Sequence, residues 1–187
     1  MPFPEPNRHF TYADYAAWDG PERYELIRGE PVLMSGPSTA HQRISRKILV
    51  RVDQYLEGKP CEVFHAPFDV CLNGLDTEDD TVVQPDVLVV CDPSKLNSKG
   101  CNGAPDLVVE ILSPSSRRHD QFTKYQLYRD AGVSEYWLVD PEAEIVQIHT
   151  LAAKGYLTSI YGEGKAPSQV LPGFELSLTE VFESPGE

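Results

Sequence analysis

Pro105-Asp106-Leu107-Val108-Val109-Glu110-Ile111-Leu112-Ser113-Pro114-Ser115 is the stretch whose reading decides the fold. From Asp106 to Leu112 the chain is apolar apart from its acids, and Ser-Pro-Ser closes the run, as expected of a central strand emerging from a sheet. Glu110 lies inside that strand. A lone carboxylate there pays a large desolvation cost unless it is paired, hydrogen-bonded or bound to metal. A structural ion pair is the plain alternative to a functional role.

Downstream, residues 120–131 read as a helix with Phe122, Tyr125 and Tyr128 at compatible spacing and a stop at Gly132. Glu135 to Val139 is another apolar strand, closed by Asp140-Pro141. Upstream, Glu62 to His65, Phe68 to Leu72 and Thr81 to Val90 read as strands, with an acidic turn from Asn73 to Asp80. Asp92 to Ala104 is rich in Ser, Asn, Gly and Lys and reads as a surface loop. From His41 to Glu57, Ile44, Ile48, Val52, Tyr55 and Leu56 recur at helical spacing, ended by Gly58-Lys59-Pro60.

Nearer the start, a short helix over residues 10–18 is capped by Thr11, and Tyr24 to Ile27 with Pro31 to Met34 form a hairpin around Arg28-Gly29-Glu30. At the far end Ile145 to Leu151, Tyr156 to Tyr161 and Val170 to Leu178 alternate like hairpin strands. This order predicts an α/β (α+β) fold, a mixed sheet flanked by helices.

The 187 residues fit one domain, and an apolar fraction of 41% fills one core. No apolar run approaches the roughly 20 residues of a membrane span. Met1 to Glu5 has neither the basic start nor the apolar core of a signal peptide, so a cytoplasmic protein is expected. Cys61, Cys71, Cys91 and Cys101 form no CxxC pair, and free, mostly buried thiols are expected. With 16 Lys+Arg against 29 Asp+Glu the net charge is −13, which argues against binding nucleic acid by a general positive surface. It leaves open a nuclease whose carboxylates attract phosphate once a divalent ion is bound.

Asp86, in Gln84-Pro85-Asp86-Val87, is the second acid at a strand end, although acids are also common where a strand starts after proline. Asp86 and Glu110 on neighbouring strands make a plausible Mg²⁺ or Mn²⁺ site, since Mg²⁺ takes few carboxylate oxygens and keeps several waters. Lys124 lies one turn after Asp120 and one turn before Tyr128, so the three share a helix face. A solvated Lys124 paired with Asp120 is the ordinary alternative. His41 falls on the apolar side of its helix, either as a core or cap residue or as a partner near the metal. Glu25 and Glu30 are lesser candidates, Glu25 more readily a surface acid than a third metal carboxylate. Arg43, Arg46, Lys47 and Arg51 form a stripe that is either a solvated face or a contact for the DNA backbone.

The run 105–115, then Asp120, Lys124 and Tyr128, then Ala131 to Pro141, resembles the Uma-two family of endonucleases. Tyr24 to Glu30 and Ser38-Thr39-Ala40-His41 resemble that family's N-terminal half. The resemblance implies the PD-(D/E)XK superfamily and a restriction-endonuclease-like core over about 24–141, with β-hairpins added at both ends. It makes Pro85-Asp86 the PD element and Glu110 the acid of the second element. Leu112 stands where the superfamily pattern has lysine, and Lys124 matches the lysine moved to the following helix. The expectation is a DNA endonuclease, a homodimer by analogy, in which Asp86 and Glu110 hold Mg²⁺ or Mn²⁺ that activates water while Lys124 offsets charge. The alternatives are a nucleic-acid or protein-binding module with weak or no chemistry, which Leu112 favours, and a hydrolase of another phosphoester.

Overall fold

The computed structural model describes residues 8–74 and 78–183. Met1 to Glu5, part of the Asn73 to Asp80 turn and residues 184–187 therefore lie outside the described residues. Along the chain run α1 (Tyr12–Tyr15), β1 (Tyr24–Ile27), β2 (Glu30–Leu33), α2 (Thr39–Leu56), β3 (Glu62–His65), β4 (Asp69–Cys71), β5 (Val82–Val83) and β6 (Val87–Val90). They are followed by β7 (Gly100–Asn102), β8 (Leu107–Ile111), a π-helix (His119–Lys124), α3 (Tyr125–Ala131), β9 (Glu135–Asp140), β10 (Ile145–Ala152) and β11 (Gly155–Tyr161). The described part ends with β12 (Lys165–Pro167), β13 (Glu175–Ser177) and α4 (Leu178–Phe182).

The quoted run is indeed a central strand. β8 sits in a six-stranded sheet of order β11-β10-β9-β8-β6-β3, antiparallel to β6 and parallel to β9. The π-helix and α3 form the crossover that a parallel pair requires. Alternation then sorts the side chains of the sheet. Val87, Val89, Val109 and Ile111 meet Ile44, Ile48 and Val52 of α2 on one face, while Leu88, Val90, Val108 and Leu112 meet Leu127 and Tyr128 on the other. Glu110 has the parity of the second set and points toward the crossover helix.

A second sheet, β2-β1-β5-β4-β7, holds the N-terminal hairpin. Val70 and Val83 from it complete the core under α3, and Leu26, Cys71 and Val82 pack with Phe10 and Tyr12. The C-terminal hairpin β10–β11 extends the six-stranded sheet, and β12 and β13 pair separately. No helix among the described residues is long and apolar enough to cross a membrane.

Several expectations are corrected. Thr81 to Val90 is two strands in two sheets, broken at Gln84-Pro85-Asp86, because proline cannot continue a ladder. The Asp92 to Ala104 loop contains β7, which pairs parallel with β4. The helix over 120–131 starts as a π-helix and leaves Phe122 exposed. Val170 to Leu178 is not one long strand: only Glu175–Ser177 is extended, and α4 begins at Leu178. Cys61 and Cys91 are not free thiols but a disulfide, since the β3–β6 register that pairs Glu62 with Val90 sets them opposite each other. Cys71 and Cys101 are free and buried, as read.

Candidate active site

The site forms where β6 begins and β8 ends. Val87 pairs with Val109, so one step further the register sets Asp86 across from Glu110. Two contacts fix Asp86: its Oδ2 accepts the backbone N–H of Ile111 at 2.8 Å and lies 3.1 Å from His41 Nε2. His41 reaches it from the first turn of α2, whose N-cap Ser38 accepts the His41 backbone N–H at 3.2 Å. The helical spacing that turned His41 toward the sheet thus delivers it to Asp86. The Nδ1 of His41 is buried with no partner among the described residues.

Lys124 enters from the crossover. Its Nζ lies 2.8 Å from Glu110 Oε1, 2.8 Å from Glu25 Oε1 and 3.7 Å from Asp120 Oδ1. All four side chains are buried, so Lys124 is not a solvated partner of Asp120. Glu25 is likewise not a surface acid: it projects from β1 and is held by the backbone N–H of Gln84 at 2.8 Å. Tyr128 donates its hydroxyl to Glu110 Oε1 at 2.7 Å, and Tyr136 donates to the Asp120 carbonyl at 3.1 Å. The π-helix carries both Asp120 and Lys124, and such local over-wide turns often occur at functional sites.

Three carboxylates share one ammonium here. Burial alone would strip Lys124 of its proton, but Glu110, Glu25 and Asp120 override it and hold its pKa well above the ordinary lysine value. Burial pushes Glu110 well up, Lys124 opposes, and Asp120, Asp86 and Glu25 push the same way as burial. Asp120 is raised mainly by burial, with Lys124 opposing. Burial works against charged His41, yet the hydrogen bond and charge of Asp86 prevail and its pKa is raised. Three carboxyl groups thus face one ammonium, and burial with mutual repulsion pushes Glu110 and Asp120 toward their protonated forms.

The remaining candidates divide. Glu30 is exposed. Lys47 donates to the Val181 and Glu183 carbonyls, and Arg51 pairs with Glu180 at 2.7 Å, so half of the basic stripe is engaged with the C-terminal segment. Arg43 and Arg46 are exposed. Leu112, at the superfamily's lysine position, is buried in the core under α3. Sequence reasoning passed over Gln84, whose backbone holds Glu25 and whose side chain donates to Asp69 at 2.8 Å and to the Tyr15 hydroxyl at 3.0 Å. It also passed over His119, whose pKa is lowered by burial and then by Lys124, and whose Nε2 is buried without a partner among the described residues. Only their adjacency to Asp86 and Asp120 in sequence hinted at either.

Known proteins resemble this chain along most of its length. The profile of the Uma2 family, described as "Putative restriction endonuclease", matches residues 12–179. The uncharacterised protein slr1290 of Synechocystis sp. is 30% identical over 151 residues, covering 79% of this chain and 75% of that protein. A second uncharacterised Synechocystis protein, sll1609, is 27% identical over 122 residues, covering 64% and 67%. The crystal structure of a "putative nuclease belonging to DUF820" from Anabaena variabilis superposes with a TM-score of 0.75 at 18% identity, covering 92% of this chain and 97% of the other. The restriction-endonuclease-like arrangement of mixed sheets and flanking helices is thus the fold seen here.

Proposed function

The chain belongs to the Uma2 family, and from that premise we propose that it is a metal-dependent nuclease that hydrolyses DNA phosphodiester bonds at the Asp86–Glu110 site. The observation that carries this reading is the surplus of carboxylates: Glu110, Glu25 and Asp120 around one buried Lys124, with Asp86 across the strand gap from Glu110. The donors fit a hard divalent ion, being carboxyl oxygens that outnumber the one lysine and whose raised pKa values a bound cation would lower. Among the described residues no three His, Cys, Asp or Glu side chains already form a set of metal ligands. Mg²⁺ does not need such a cage, because it keeps several waters.

Asp86 and Glu110 would hold the ion, which when bound supplies Lewis-acid polarisation of a phosphoryl oxygen and eases deprotonation of water. The chain's own groups do the rest. The Ile111 N–H and His41 Nε2 fix the orientation of Asp86. Lys124 and the Tyr128 hydroxyl fix Glu110 by the same oxygen, Oε1. Lys124, kept protonated, also offsets negative charge building up on phosphate in the transition state. Arg43 and Arg46, exposed on the helix that carries His41, would contact the DNA backbone. Cutting both strands of a duplex calls for two sites, hence a homodimer, working in the cytoplasm.

The competing reading, a binding module without chemistry, draws on Leu112, whose aliphatic side chain occupies the core in place of a site lysine. The presence of Lys124 against Glu110 weighs against it. Incubation with supercoiled plasmid separates the two. The nuclease nicks or linearises the plasmid with Mg²⁺ or Mn²⁺ and stops with chelator; a module shifts the plasmid in a gel and leaves it intact.

A further inference from the structure

We propose that β11 is the pairing edge of a homodimer, adding the β11 of a second copy antiparallel about a two-fold axis. The inference rests on the edges of the sheets and not on the reading of the active site. Among the described residues β11 ends the six-stranded sheet and is hydrogen-bonded on one side only, to β10. It is seven residues long, Gly155-Tyr156-Leu157-Thr158-Ser159-Ile160-Tyr161, and contains neither charge nor proline. Leu157 is 68% exposed and Ile160 62%, two of the most exposed large apolar side chains among the described residues.

Folded proteins blunt open strand edges with charges, proline or shortness, because an open ladder invites another strand. Every other described edge shows such a device. β3 carries Glu62 and His65, β2 carries Glu30 and Pro31, and β7 has three residues. In the small sheet, β12 carries Lys165 and Pro167, and β13 carries Glu175. β11 alone has none, which marks it as an edge that is covered.

The occupant follows from chemistry. Open backbone N–H and C=O groups call for a strand. The absence of Lys and Arg offers nothing to phosphate, so nucleic acid is not the partner. A second copy carries the same net charge of −13 and can approach closely only along a neutral patch, which β11 supplies. An antiparallel strand is also complementary to itself across a two-fold axis. Whether the axis passes at Thr158 or at Ser159, Leu157 stands opposite or diagonal to Tyr161 of the copy, and Ile160 to Tyr156. Such apolar and aromatic cross-strand pairs stabilise a sheet.

Analytical ultracentrifugation across the micromolar range, with hydrogen exchange, tests the assignment. The wild type is expected near twice 20.9 kDa, with β11 amides protected. Leu157→Lys/Ile160→Lys, which puts like charges on two exposed positions, is expected to sediment as a folded monomer by circular dichroism, with those amides exposed. Ser159→Lys replaces it should the double variant not fold. A wild type that stays monomeric overturns the proposal, as does a dimer that survives the lysines or leaves β11 amides unprotected.

Discussion

Lys124 balances three buried carboxylates with a single charge, so its removal should act first on stability. Breaking a buried pair by deleting one partner costs about 3–5 kcal/mol. Lys124→Met is expected to lose that much in urea unfolding, and Mn²⁺ is expected to return part of it by taking over the neutralisation; a loss under about 1 kcal/mol would mean that the cluster folds uncharged. For chemistry, Glu110→Gln is the better probe than alanine, since it keeps the shape that Tyr128 and Lys124 pack against. A second residue-scale prediction concerns pH. His149 is buried beside Tyr125, Tyr136 and Tyr156, and burial depresses its pKa from 6.5 to about 4. The unfolded chain therefore binds a proton that the fold refuses at this site: the His149 contribution to stability is undiminished well above pH 6.5 and falls as the pH drops toward 4. By linkage the loss between pH 7 and 4.5 is about 2 kcal/mol, and His149→Phe should flatten that limb in urea titrations at each pH.

Elements were legible where one period or one run of residues decides them. The apolar run around Glu110 gave β8, and apolar spacing gave α2 and the direction of His41. What depends on a distant partner was not legible. Glu25 is buried because β1 belongs to a second sheet whose strand β5 leads into Gln84, and nothing in a hairpin's own alternation says so. The π-helix has the residue spacing of an ordinary helix, and β7 is only three residues, Gly100-Cys101-Asn102, set within a Ser-, Asn- and Gly-rich run that shows no strand pattern of its own. The Cys61–Cys91 bond needed the β3–β6 register, which spans a separation of 30 residues. Thiol titration checks it: unfolded without reductant, the protein should show two thiols, Cys71 and Cys101, and four after reduction. In the native state those two should react slowly, as burial raises Cys71 to about 12 and Cys101 to about 11. Four thiols without reductant would remove the cross-link between β3 and β6.

At the scale of the whole molecule, an acidic chain must bind a polyanion through local positive charge and bound cation. Lys47 and Arg51 are engaged with the C-terminal segment, which leaves Arg43 and Arg46 exposed on α2 with no ion pair among the described residues. Replacing both with alanine should weaken DNA binding alike for all sequences and lower the slope of log affinity against log salt by about 2. An unchanged slope would return the stripe to a solvated helix face. The central claim, that buried carboxylates at the sheet end perform metal-dependent hydrolysis, is tested most directly by one measurement. Cleavage of supercoiled plasmid in Mn²⁺ is followed for wild type beside folded Glu110→Gln. Metal-dependent cutting that disappears in the variant is the predicted result; cutting that persists undiminished in Glu110→Gln would contradict it.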